Sequence, residues 1–402
     1  MQRYLNLRNA LLAIAVLLFL IAWNRGIALL YGMVALVLAL LLVSLLLPRF
    51  VLRTLSAERH YPPQITEGES LPVALTVKNH GWWARYLVEL VQPLPVREEQ
   101  QEVTVLLPVI KGQQQLLLQV PCELRGRHRL PPLQARSGYP LGISEANKIL
   151  CGEGGEVLVY PVPFRIESFP YVSGAHLPLS GVQAVAMTGG GQEFIEVREY
   201  QPGDSPRHIH WPQTARQQSL MVREHEYQAA TEVTLLLDLQ RAANLGEGRH
   251  TTLEYAVKIA ASLAQQACAA GHRVRLLGYG RYPLRIAPGS GHLHYQTLLT
   301  ALAQVEADGD EPYAAAIQQA LLEVAPGSVL VLFHVPPDGE QQAEPPAFFA
   351  RHIKPVWIRF DSRSFRFPIQ LGQRQAYERL GDIPIYHVRR GDDLAALFGA
   401  AQ

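Results

Sequence analysis

Two apolar runs close to the start of the chain, separated by three polar residues, restrict the fold more than anything else in the sequence. Ala10 to Trp23 is unbroken by charge, Asn24, Arg25 and Gly26 form a turn, and Ile27 to Leu47 is a second run. The second has the roughly 20 residues needed to cross a bilayer as a helix. The first reaches only ~21 Å at ~1.5 Å per residue, a short crossing that Leu5, Leu7 and tilt or local thinning complete. Trp23 and Tyr31 lie near the turn, where amphipathic rings favour the headgroup level, and Pro48 is expected to close the second helix. Arg3 and Arg8 ahead of an apolar stretch also suggest a cleaved leader. That reading is the weaker one, because no small-x-small site follows Leu20 before the second run begins. Basic residues set the orientation: Arg3 and Arg8 flank one end, Arg49, Arg53 and Arg59 the other, and only Arg25 lies in the turn. Both termini and the soluble domains are therefore expected in the cytoplasm, with the hairpin in a bacterial inner membrane.

The remaining chain divides by pattern. We assign 1–48 to the hairpin, 49–165 to a β-rich sandwich-like domain, 166–230 to a linker segment and 231–402 to an α/β domain. In the second of these Leu71, Val73, Leu75 and Val77 alternate with polar or small residues, Asn79, His80 and Gly81 form a turn, and Val103 to Leu107 and Leu116 to Val120 supply further strands. Trp82 and Trp83 after that turn are expected to pack on the sandwich or touch lipid headgroups, ahead of serving as a binding patch. From Thr231 the period changes. Strands over Thr231 to Leu239, Arg273 to Tyr279, Ser328 to Val335 and Pro355 to Phe360 alternate with helical stretches over Thr251 to Ala270, His294 to Val305, Tyr313 to Val324 and Ala343 to His352. Such alternation predicts a mostly parallel, doubly wound sheet covered by helices on both faces.

Charge and cysteine content exclude some functions. With 36 Lys+Arg against 35 Asp+Glu the net charge is +1, which gives no reason to expect a nucleic-acid partner. Cys122, Cys151 and Cys268 are far apart and form no Cys-x-x-Cys, so buried structural thiols in a reducing compartment are expected.

Between the two soluble domains the chemistry is dense. Arg198, Arg207, Arg216 and Arg223 are interleaved with Glu193, Glu199, Asp204 and Glu224, while Phe194, Tyr200, Ile209 and Trp211 supply apolar anchors. Guanidinium groups can pair with those carboxylates in two-point fashion, so a satisfied charge network is expected. Pro202, Gly203 and Asp204 form a turn, with Pro fixing φ and Gly admitting positive φ. Gly191, Glu193, Phe194, Arg198, Glu199, Tyr200, Pro202, Gly203, Asp204, Arg207, Ile209, Trp211, Ala215 and Arg216 resemble the signature of the domain of unknown function 58 family. His210 and Pro212 depart from it, standing where the family commonly has Asp and Lys. The resemblance implies a paired membrane helix, a β-rich region and a von Willebrand factor A-like domain. It also implies a MoxR-type AAA+ ATPase as partner, and a chaperone-like assembly role toward a client protein.

Catalytic and cofactor readings are thinner. Metal-binding A domains end their first strand in Asp-x-Ser-x-Ser, whereas here Asp238 is followed by Leu239, Gln240, Arg241 and Ala242, leaving Asp238 as a degenerate metal-site position. Asp238 is expected to cap a helix or pair with an arginine. His208 and His210 would share one side of a strand and, with His225, suggest a metal-dependent hydrolase with Glu or Asp as base; this is the alternative function. Gly189, Gly190 and Gly191 lack the Gly-Lys-Ser/Thr of a phosphate loop, and Gly289, Ser290, Gly291 and His292 read as a loop before a helix. The expectation is a membrane-anchored, non-catalytic adaptor without cofactor that works through protein–protein contacts.

Overall fold

The computed structural model describes residues 2–96, 102–166, 169, 193–200, 209–217, 219–226, 231–336, 352–367, 376–380 and 383–399. Its first elements are two helices, α1 (Gln2–Arg25) and α2 (Ala28–Arg53), joined through Gly26 at φ +64°. The stretches Leu7–Arg25 and Ala28–Arg53 are long and apolar enough to cross a membrane. Small side chains let the pair approach closely: Ala15 and Ala22 are buried, as are Val34 and Leu41, while Leu17, Leu20, Leu29 and Leu36 are exposed.

Pro48 does not close α2, which continues to Arg53. Proline inside a helix removes one backbone hydrogen bond and costs about 3 kcal/mol. Val51 and Leu52 lie beyond it and join the apolar core of the β region, where burial of each side chain contributes about 1.5–3 kcal/mol. That gain offsets the penalty.

The chain forms two compact units. The first comprises Met1–Pro163, Asn244–Ala261 and Gln296–Glu306, and the second Phe164–Ala243, Ser262–Tyr295 and Ala307–Gln402. In the first, ten strands follow α2: β1 (Leu55–His60), β2 (Gln64–Thr66), β3 (Ser70–Asn79), β4 (Arg85–Pro93), β5 (Glu102–Ile110), β6 (Gln113–Pro121), β7 (Gly126–Arg129), β8 (Leu133–Ser137), β9 (Ala146–Cys151) and β10 (Glu156–Tyr160). They form three sheets, ordered β1-β3-β6, β2-β10-β7 and β5-β4-β8-β9. The alternation read in β3 is real: Leu71, Val73, Leu75 and Val77 are fully buried and share one core with Val88, Leu90, Val157 and Val159. The pairing of β4 with β5 skips Leu87, at φ +52°, without a change of register. Trp82 and Trp83 depart from the expected packing on the sandwich, being 100% and 77% exposed.

In the second unit, β11 (Glu193–Glu199) pairs antiparallel with β12 (Met221–Glu226), and α3 (Trp211–Gln217) lies between them in sequence. The rest is α/β. Strands β13 (Glu232–Leu237), β14 (Arg273–Tyr279), β15 (Pro283–Gly289), β16 (Val329–His334), β17 (Lys354–Phe360), β18 (Tyr377–Leu380) and β19 (Ile383–Val388) form one sheet in the order β15-β14-β13-β16-β17-β19-β18. Its five inner strands are parallel, and β15 and β18 close the two edges antiparallel. Helices α6 (Tyr313–Glu323), α7 (Ser362–Arg366) and α8 (Leu394–Gly399) accompany the strands, and the division between the units falls within α4 (Thr252–Ala269) and α5 (Gly291–Gln304). Leu236, Leu277, Leu330, Leu332 and Trp357 pack with Tyr313, Ile317 and Ala320 of α6. Val233, Leu235, Val331 and Phe333, of the opposite parity, are equally buried, so neither face of the central strands meets water. The helix expected over Ala343 to His352 falls almost wholly outside the described residues.

Candidate interaction site

The signature segment folds around the β11–β12 ribbon. Register places Val197 opposite Arg223, Arg198 opposite Val222 and Glu199 opposite Met221. Beyond the strands the pairing continues locally: the Tyr200 amide donates to the Leu220 carbonyl at 2.8 Å and the His210 amide to the Met221 carbonyl at 2.8 Å. The short α3 is then started by His210, whose Nδ1 accepts the Gln213 amide at 3.1 Å. Accepting there puts the proton of a neutral ring on Nε2. Thr214 Oγ1 accepts the Met221 amide at 3.0 Å, fixing the helix to β12. No residue of α3 is buried, and Trp211 is 64% exposed alongside Pro212, Ala215 and Arg216. An indole standing in water on a backbone-anchored turn of helix is an unpaid hydrophobic surface, and such residues are enriched where proteins meet.

A second constellation lies where the parallel sheet changes direction. Strand order steps outward from β13 to β14 on one side and to β16 on the other, and ligands of open α/β sheets bind beyond the carboxyl ends of strands at such a point. Asp238 follows β13 there and His334 ends β16; both side chains are 5% exposed. Asp238 Oδ1 accepts the Gln240 amide at 3.1 Å, and Oδ2 lies 3.5 Å from His334 Nδ1. Tyr313 stacks flat on the imidazole with ring centres 4.8 Å apart and donates its hydroxyl to the Leu236 carbonyl at 3.0 Å. Burial, with the Asp238 charge behind it, holds the Tyr313 phenol well above its ordinary value, so it stays a neutral donor. Trp357 approaches the same imidazole edge-on at 6.0 Å. Among the described residues neither imidazole nitrogen has a hydrogen-bond partner, a state that costs about 1–3 kcal/mol per buried group. Among the described residues no three His, Cys, Asp or Glu side chains gather as a metal site. Asp238 is expected to cap a helix or pair with an arginine, and nearby Arg241 instead reaches Asp310 at 3.9 Å and the Asp308 carbonyl at 3.3 Å.

Residues 196–330 match the family described as Protein of unknown function DUF58. The chain carries a DUF58 domain. Uncharacterized proteins of Mycobacterium tuberculosis and Mycobacterium bovis are each 29% identical over 126 residues, which is 31% of this chain and 40% of the relative. The matched stretch therefore spans well under half the length of those relatives. Among solved structures, the CARDB domain of the PF1109 protein from Pyrococcus furiosus, in complex with di-metal ions, is similar at 18% identity and a TM-score of 0.19. That match covers 26% of this chain and 91% of that one. So slight a likeness carries no further weight.

The DUF58 match takes in α3 of the first constellation and Asp238 and Tyr313 of the second, and ends before His334 and Trp357. Of the signature residues, Tyr200, Trp211, Ala215 and Arg216 are brought to the α3 end of the ribbon, and Tyr200 is half-buried. Glu193, Phe194, Arg198 and Glu199 lie on β11, where the backbone alone is described. Pro202, Gly203, Asp204, Arg207 and His208 fall outside the described residues, and with them much of the expected charge network and the His208/His210 pair. Sequence reasoning missed Tyr313 and Trp357 as the aromatic neighbours of His334. The signal was weak: an aromatic at the first position of α6 and another inside an apolar strand read as core. The buried thiols of Cys122 and Cys268 fit expectation, and Cys151 is half-buried.

Proposed function

We propose that this chain is a membrane-anchored, non-catalytic adaptor or assembly factor acting through protein–protein contacts, with a MoxR-type AAA+ ATPase as its partner. The observation that carries the reading is α3, a signature helix without a buried residue that presents Trp211 and Arg216 to solvent. Tryptophan and arginine are among the residue types enriched at the energetic centres of protein interfaces. The sheet order, with an antiparallel edge after three strands, supports reading the second unit as von Willebrand factor A-like. In that reading Asp238, just past the first strand, holds the degenerate metal-site position, with its Oδ1 accepting the Gln240 amide and its Oδ2 3.5 Å from His334 Nδ1. The two apolar helices and the basic residues flanking them support an inner-membrane hairpin with both termini in the cytoplasm, on the side where ATP is available.

Co-purification from detergent extracts tests the partnership. A MoxR-type ATPase should be retained by the parent chain and lost on Trp211→Ala or Arg216→Ala, each by about tenfold if the residue is an interface centre. Capture unchanged by both substitutions overturns docking through α3. A phosphatase reporter fused to the C-terminus should stay inactive; activity in the periplasm would overturn the orientation.

A further inference from the structure

The loop between β3 and β4 presents Trp82 and Trp83 to solvent, and among the described residues the fold gives them no packing role. Their backbone is nevertheless clamped. Asn79 Oδ1 accepts the Gly81 amide at 2.9 Å, and Asn79 Nδ2 donates to the Trp83 carbonyl at 2.8 Å. Thr54, the residue after α2, donates its hydroxyl to Asn79 Oδ1 at 2.9 Å and accepts from Arg85 Nε and Nη2 at 3.2 and 3.1 Å. Its carbonyl accepts the His80 amide at 3.0 Å. Gly81 is needed for this closeness: a Cβ there would stand 2.8 Å from Arg85 Nη2 and 3.0 Å from Thr54 Oγ1. The tryptophan loop is thus fastened to the end of the second apolar helix.

That end is itself amphipathic. Phe50 is half exposed and its ring lies under the Arg85 guanidinium at 4.6 Å, while Arg49 and Arg53 point to solvent. Thr54 follows the last residue of the apolar run, Leu47, by a helical rise of about 10 Å, less when the helix tilts. A headgroup layer is about 5–8 Å deep on each side of the hydrocarbon, and an indole spans much of the difference. Tryptophan prefers that layer, and exposed arginines are drawn to anionic lipid beside it.

We propose that Trp82 and Trp83, together with Phe50, form a second, monotopic membrane contact. Its ligand is the phospholipid headgroup layer of the leaflet at which α2 ends. This rests on the reading that α1 and α2 span the bilayer. The contact would hold the β region against the membrane surface in one orientation instead of leaving it free in solution.

The full chain has five tryptophans, so Trp23→Phe with Trp211→Phe leaves Trp82, Trp83 and the buried Trp357. In vesicles of phosphatidylcholine and phosphatidylglycerol, lipids brominated just below their carbonyls should lower emission about two-fold, since two of the three indoles stand at headgroup depth. Adding Trp82→Ser and Trp83→Ser should abolish the quenching, with the chain still resisting alkaline extraction. Emission untouched by brominated lipid but quenched by aqueous acrylamide, in a chain that resists extraction, overturns the proposal alone and leaves the loop open to a protein. Extraction of the chain by alkaline carbonate overturns the spans and this contact together.

Discussion

Removing the Arg125 guanidinium should be among the most damaging single changes in the first unit. Arg125, on the approach to β7, is buried; its Nε donates to Glu254 Oε2 at 2.9 Å. Its Nη1 donates to the carbonyls of Leu302, Ala303 and Val305 at 2.8, 3.3 and 3.1 Å, the last turn of α5, where free carbonyls otherwise lack partners. Glu254 occupies the first turn of α4, its amide held by Thr251 Oγ1 at 3.2 Å. Burial pushes its carboxyl above the ordinary value, and the Arg125 charge pulls it back. Arg125→Ala leaves both a carboxylate and helix-end carbonyls buried without their partner, and breaking such a pair costs about 3–5 kcal/mol. At about 2–4 °C per kcal/mol for a unit of this size, the melting midpoint should fall by about 6–20 °C, read by near-ultraviolet circular dichroism in detergent.

The pH dependence has a definite sign. A carboxyl whose folded value is raised binds its proton more readily folded than unfolded, so its charged form penalises the fold and acid relieves the penalty. Without Arg125 that elevation grows, and the deficit of the variant should shrink between about pH 7.5 and about pH 5. Glu254→Gln in the Arg125→Ala background should recover part of the loss at neutral pH. A fall of less than about 2 °C, or a deficit that widens on acidification, would refute the account.

Two further outcomes follow from the second unit. Gly309 lies where a Cβ would stand 2.7 Å from the Tyr279 carbonyl and 3.0 Å from that of Leu239, so Gly309→Ala should destabilise by about 1–3 kcal/mol. Hydrogen exchange should then show lost protection at the Arg241 amide, which now donates to the Gly309 carbonyl at 2.8 Å; unchanged protection contradicts the clash. Burial pushes the Cys268 thiol up to about 11. At about pH 8 its reactive thiolate is therefore on the order of one in a thousand, and mass spectrometry after iodoacetamide should find half-buried Cys151 labelled well before Cys268.

Much of the fold was legible because local pattern and tertiary burial agree there. Arg273 to Tyr279 was read as a strand and is β14, and the helix read from Tyr313 begins at that residue as α6. Parallel strands buried on both faces carry long apolar runs, which announce themselves. The antiparallel edges did not. β15 is half exposed, holds Pro288 and ends at Gly289, so its pattern does not mark a strand, and the rule that proline belongs at sheet edges explains why a strand is possible at all. Pro48 misled for the opposite reason: the local stop signal is overruled by Val51 and Leu52 docking far along the chain. The site was legible only where motif and exposure coincide, as at Trp211. Asp238 was singled out from its place after a strand, yet its neighbour His334 lies 96 positions further on, and no spacing rule joins the two. The Arg125 bond to Glu254 bridges a still larger separation.

Only Thr54 separates α2 from β1. A chain read as an anchored adaptor would be expected to hang its working parts on a slack tether, and this one has none. Lys148 braces the junction, its ammonium bonded to the Arg53 and Leu55 carbonyls at 2.9 and 2.7 Å. In a bilayer, any change of thickness that leans the helix would swing the attached sheets through the same angle, like an oar in its lock. Lipid composition would then act as a mechanical input to whatever binds the attached body.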